Sequence, residues 1–144
     1  MSDAIEPAVG IVVVSHSSAV ADAVVRLVTQ LANLAADGPR LVAAGGLADG
    51  SVGTDAARIA DAVTTADAGA GVVILADLGS AVLSARTAVE DLLDPEVAAR
   101  VAISRGPLVE GAFVAAVQAS AGDGLDGVLA GADEAAAMDK LGDG

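Results

Sequence analysis

Val9-Gly10-Ile11-Val12-Val13-Val14-Ser15-His16-Ser17-Ser18 is the stretch whose reading decides the fold. From Val9 to Val14 it is continuously apolar, so an extended chain here presents hydrophobic groups on both faces. That pattern belongs to a parallel strand covered on both sides, and a half-solvated hairpin strand would alternate instead. The run then breaks abruptly into a serine, the chain's single histidine and two more serines.

Working outward, Leu41 to Ala44, Val72 to Ala76 and Val101 to Ile103 read as three further strands, the first and last of these short. Helical spacing separates them. Val20, Val24, Leu27, Val28, Leu31 and Leu34 recur by threes and fours, which predicts an apolar helix stripe. Ile59 and Val63, with Ala56 and Ala60, predict a second helix, and Val82, Leu83, Val89, Leu92 and Leu93 a third. Leu108, Val109, Phe113 and Val117 predict a fourth, with Pro107 at its favourable first turn, and Leu125 to Ala132 a shorter fifth. Alternating strands and helices predict an α/β domain: a mainly parallel open sheet of four to five strands, with right-handed crossovers placing helices on both faces. Residues 1–135 are expected to form one domain, and the polar, Gly-rich residues 136–144 a flexible tail.

Composition narrows the function classes. Of the 144 residues 54% are hydrophobic but only 1% aromatic (Phe113 alone), so Ala, Val, Leu and Ile must build the core and leave little room for a large cavity. The net charge of −13, with Lys140 the only lysine, repels nucleic acid and anionic lipid and otherwise reads as solubility. Without cysteine there is no disulfide, thiolate metal site or thiol nucleophile. Met1 to Ala8 lacks the basic region of a secretory signal, and no apolar run is long enough to span a bilayer. The expectation is a cytoplasmic protein.

The polar residues carry the chemistry, because they follow the strands. After the first comes Ser15-His16-Ser17-Ser18; after the second, Gly45-Gly46 and then Gly53-Thr54-Asp55; after the third, Asp77-Leu78-Gly79-Ser80; after the fourth, Ser104-Arg105-Gly106-Pro107. In an open parallel sheet these ends share one edge, where ligands bind. No Gly-x-Ser-x-Gly elbow supports a serine hydrolase, no Walker motif supports nucleotide hydrolysis, and one His with one Asp is too few for zinc, so no metal is expected. Anion binding is well supplied, because helices starting near Ser17, Thr54 and Ser80 would present free N–H groups and positive dipole ends. An imidazole there could attack a phosphoryl group and carry it. The plainer alternatives are that Thr54 and Ser80 only cap helices, that Gly53 and Gly79 only relieve turns, that Asp77 is a cap, that Arg105 is merely solvated and that His16 is a structural hydrogen-bonder.

Val12-Val13-Val14-Ser15-His16-Ser17, Gly53-Thr54-Asp55, Asp77-Leu78-Gly79-Ser80-Ala81 and Pro107-Leu108-Val109-Glu110-Gly111-Ala112 together resemble the DhaM-type phosphotransferase subunits of bacterial dihydroxyacetone kinases. Their N-terminal domain belongs to the mannose-type enzyme IIA family of the phosphoenolpyruvate:sugar phosphotransferase system. The motifs occur in family order and span Val9 to about Leu129. Transporter members of the family resemble the chain less closely, since they tend to carry an aromatic and a second Gly after the equivalent Asp. The resemblance implies a homodimer that takes a phosphoryl group from HPr on His16. It implies transfer to ADP held on a DhaL subunit, the ATP so formed phosphorylating dihydroxyacetone on a DhaK subunit, with no cofactor on this chain. By motif position Asp77 would orient His16, while Ser17, Thr54, Gly79 and Ser80 would hold the phosphoryl oxygens. Some members continue into HPr-like and enzyme I-like domains; this sequence does not, and would draw on separate carriers. The alternatives are a sugar-transporter enzyme IIA domain and a regulatory module read through its phosphorylation.

Overall fold

A computed structural model describes residues 6–142; the expectations for residues 1–5 and for 143–144 of the tail fall outside the described residues. Four strands, β1 (Gly10–Ser15), β2 (Leu41–Gly45), β3 (Val72–Ala76) and β4 (Val101–Ile103), form one wholly parallel sheet in the order β2-β1-β3-β4. The expected architecture is present, with four strands among the described residues rather than five. The alternating faces of β1 enter different cores. Ile11 and Val13 pack with α1 (Ser18–Leu31), α5 (Leu108–Ser120) and α6 (Leu125–Glu134). Val12 and Val14 pack with α2 (Ala56–Ala66) and α3 (Gly79–Thr87). All four side chains are fully buried, which is why the run needed no polar alternation.

Connection handedness fixes which helix covers which face. The chain moves one way across the sheet from β1 to β2 and the other way from β2 to β3 and from β3 to β4. Right-handed crossovers therefore put α1 on one face and α2 and α3 on the opposite one. The direction reverses between β1 and β3, so a crevice opens at their carboxyl ends.

The helices depart from expectation in several places. The stripe on α1 is broader than its contact: Ala21, Val24 and Val28 are buried, whereas Val20, Leu27 and Leu31 are 44%, 42% and 61% exposed. Close approach to β2 selects the small side. A Cβ on Gly45 would lie 2.6 Å from the Ser17 carbonyl oxygen and 2.9 Å from the Ala21 Cβ, so there is no room for the larger residues. The third expected helix is α3 followed by a π turn (Ala88–Leu92), closed by the Leu93 N–H on the Ala88 carbonyl at 3.0 Å. Asp94-Pro95 then starts a one-turn helix, α4 (Pro95–Ala98), that the hydrophobic spacing did not anticipate. Pro107 occupies the N-cap of α5, one residue before the position expected for it. Helix α6 runs two residues past Ala132 into a 3₁₀ turn (Ala135–Ala137), and Lys140 beyond it pairs with Glu110 of α5 at 2.6 Å. Among the described residues, no helix is long and apolar enough to cross a membrane.

Candidate functional site

His16 directly follows β1 and Asp77 directly follows β3, the two strands that flank the reversal of direction. Asp77 gathers four donors there. Its Oδ2 accepts from the Ser15 hydroxyl at 2.9 Å and from the His16 N–H at 3.0 Å, while its Oδ1 lies 2.9 Å from His16 Nδ1 and accepts from the Leu78 N–H at 2.8 Å. A carboxylate can only accept, so the ring nitrogen facing it carries the proton. His16 Nε2 is thereby left with its lone pair, and the Ser80 hydroxyl meets it at 2.5 Å. Partial burial pushes the Asp77 carboxyl up, but the His16 N–H, the His16 ring and the Ser15 hydroxyl outweigh it and hold it below the ordinary carboxylate value. Asp77 is thus an anion at neutral pH, able to fix the tautomer and to stabilise charge on the ring.

The helix starts behave as their sequence suggested, with adjustments. Ser17 is the N-cap of α1 and accepts from the Val20 N–H at 3.2 Å, which leaves its hydroxyl hydrogen available. Helix α3 has Leu78 at its N-cap and no side-chain cap, so Ser80 is not spent on capping. The first N–H groups of α3 to donate are those of Ala81 and Val82, both to the Leu78 carbonyl, which leaves the Gly79 and Ser80 N–H groups outside the helix ladder. Space around Gly79 is open, with nothing within 4 Å of a Cβ placed there. Asp55, not Thr54, caps α2, by accepting from the Ala57 N–H. The Thr54 hydroxyl instead meets Ser84 Oγ at 2.6 Å, one turn beyond Ser80 on α3. The Gly53 N–H bonds the His16 carbonyl at 2.9 Å with a positive φ of 150°, tying the β2–α2 loop beneath the histidine.

The structure therefore joins His16, Asp77 and Ser80 by hydrogen bonds, with Gly79 in the same turn, Ser17 tied in through Ser15, and Thr54 meeting Ser84 on the helix of Ser80. Three participants were missing from the sequence reading. Ser15 was quoted only as part of a motif, yet it is buried and bonds both Asp77 and the Ser17 N–H. Ser84 carries a readable signal, since it lies four residues from Ser80 and shares its helix face. Asp133 binds the loop after β4 and has no local signal among the acidic residues of α6. A hollow of about 350 Å³, lined by Pro7, Asn33, Asp37 and Ser120 among others, lies at the far end of the sheet from His16.

A half-buried imidazole, oriented by a carboxylate, is thus set between two helix N-termini. The family model EIIA-man, described as the PTS system fructose IIA component, matches residues 10–129, and the chain belongs to that family. Among its relatives, the PEP-dependent dihydroxyacetone kinase 2 phosphoryl donor subunit DhaM of Listeria innocua is 38% identical over 84% of this chain and 94% of its own length. The corresponding DhaM subunit of Klebsiella michiganensis is 41% identical over 84% of this chain, which spans only 25% of that relative. A crystal structure of a protein of unknown function matches with a TM-score of 0.75 at 36% identity, covering 88% of this chain and 94% of that one. A sigma-54 interaction domain protein from Enterococcus faecalis, with a TM-score of 0.65 at 14% identity, shares the fold alone.

Proposed function

We propose that this chain is a DhaM-type phosphoryl donor of a phosphoenolpyruvate-dependent dihydroxyacetone kinase, carrying the phosphoryl group on His16. The observation that carries this reading is the pairing of Nδ1 with Asp77, which leaves Nε2 as the free nucleophile beside Ser80. The Nε2 lone pair attacks phosphorus in line as the bond to the donor's leaving atom breaks, and the proton stays on Nδ1 toward Asp77. The ring becomes cationic in that step, and the Asp77 carboxylate offsets the charge. Ser80, Ser17 and the N–H groups of Gly79 and Ser80 receive the phosphoryl oxygens, so catalysis is positioning and charge stabilisation. On this reading HPr is the donor and ADP on a DhaL-type subunit the acceptor, so that dihydroxyacetone on a DhaK-type subunit is phosphorylated in the cytoplasm. Residues 1–135 make the carrier domain, and the exposed Val20, Leu27 and Leu31 of α1 suit a homodimer contact.

Incubation with labelled phosphoenolpyruvate, enzyme I and HPr should give an acid-labile phosphate on the wild type and none on His16→Ala. An unlabelled wild type, or equal label on the variant, refutes the carrier role. The family description favours one second reading, a sugar-transporter enzyme IIA domain. Offering the labelled protein a DhaL–ADP complex and a IIB-type domain as acceptors separates the two.

A further inference from the structure

The hydrogen-bond pattern that holds His16 is built twice. At the end of β1, the Ser15 hydroxyl and the His16 N–H both donate to Asp77 Oδ2, and the Ser17 N–H donates back to Ser15 Oγ at 3.0 Å. At the end of β4, the Ser104 hydroxyl donates to Asp133 Oδ1 at 2.6 Å, the Arg105 N–H donates to the same oxygen at 2.9 Å, and the Gly106 N–H donates to Ser104 Oγ at 3.0 Å. Serine, functional position and following residue correspond one to one, and Arg105 takes the place of His16. Both serines are buried, so each clamp fixes its loop from below while the residue between is presented at the sheet edge.

Strand order gives the second clamp its meaning. β3 lies between β1 and β4, so His16 and Arg105 stand on either side of the Asp77–Ser80 turn, about 10 Å apart at two strand spacings. The His16 ring leans from β1 across the end of β3, where it contacts Asp77 and Ser80. A group on Nε2 therefore lies over the β3–α3 turn, one strand spacing from Arg105. Among the described residues Arg105 is the only cation in the loops that follow the four strands, and its side chain is exposed, with no hydrogen bond to any of them. A dianionic phosphoryl group arriving on a chain of net charge −13 meets repulsion that this side chain can help to offset.

We propose that Arg105 forms a charge-assisted contact with the phosphoryl group on His16 Nε2, steadying it in the phosphorylated protein and during transfer. The proposal rests on His16 being the phosphoryl carrier. Its partner chemistry is a phosphoryl oxygen, to which the guanidinium fork is suited. The clamp uses only the main-chain N–H of residue 105, so Arg105→Ala leaves the Ser104–Asp133 bonds and the fold intact.

The test phosphorylates the protein with phosphoramidate, without partner proteins, and follows the phosphohistidine by phosphorus NMR as pH is varied. Removing a facing cation raises the second ionisation of the phosphoryl group. Arg105→Ala should therefore titrate about half a unit above wild type, with Arg105→Lys between them, as expected of a solvent-exposed pair. Transfer from HPr should slow by about three- to tenfold in the same variant. Identical titrations for wild type and Arg105→Ala overturn the Arg105 contact and leave the carrier reading standing. Failure of His16 to take the phosphoryl group from either donor overturns both.

Discussion

At the scale of residues, Asp77 does two jobs that pull its substitution in different directions. It fixes the histidine tautomer, and it is the acceptor for the buried Ser15 hydroxyl. Asp77→Asn keeps the volume but leaves a single accepting oxygen, so the two donors on the other oxygen lose their partner. We expect transfer from HPr to fall about a hundredfold through misoriented imidazole, and the domain to lose about 1–2 kcal/mol at pH 7. The pH dependence has a definite sign. The folded-state carboxyl lies below its ordinary value, so its stabilisation is complete above about pH 4 and is lost as pH falls through the lower folded value. Urea denaturation at pH 7 and near pH 3 should therefore show a gap between wild type and variant that closes in acid. A gap that persists unchanged would mean that the stabilisation by Asp77 does not depend on its carboxylate charge. The sequence placed Asp77 at a strand end but could not show that its carboxylate is shared, because Ser15 and His16 lie 61 or 62 positions away from it.

At the scale of elements, the glycines divide into those that admit a neighbour and those that do not constrain packing. A Cβ on Gly106 would stand 2.0 Å from the Ala132 carbonyl oxygen, so Gly106→Ala must push α6 away from the loop after β4. That overpacking should cost about 1–3 kcal/mol in chemical denaturation. Gly79, in the first turn of α3, has open space around it and an ordinary backbone conformation. Gly79→Ala should instead stabilise by about 0.4–1 kcal/mol by restricting the unfolded chain. Its transfer rate then reports whether phosphoryl oxygens need the bare backbone there. The strands were readable almost to the residue, because burial on both faces leaves an uninterrupted apolar run. Helix faces were readable less well: α1 carries more apolar residues than its contact with β2 uses, and the contact chose Ala21 for size rather than hydrophobicity.

At the scale of the whole molecule, a charge of −13 spread over 144 residues makes self-repulsion a global term. The urea midpoint should rise between about 0.02 M and 0.5 M sodium chloride, as the screening length shrinks to a few ångströms, with the slope of the transition unchanged. A midpoint insensitive to salt would show that the acidic surface is locally compensated. What the sequence determined by itself was the strand-helix alternation and the placement of His16, Asp77, Ser80 and Arg105 after strands. These follow from local periodicity and from the geometry common to every parallel sheet. What only the tertiary structure decided was that β1 and β3 are neighbours while β4 lies beyond β3. Adjacency depends on which long-range pairings bury the most apolar surface together, and no local pattern encodes it. That adjacency sets His16 Nδ1 on Asp77, turns Nε2 toward Ser80, and brings a second clamp with Arg105 to the far side of the same turn.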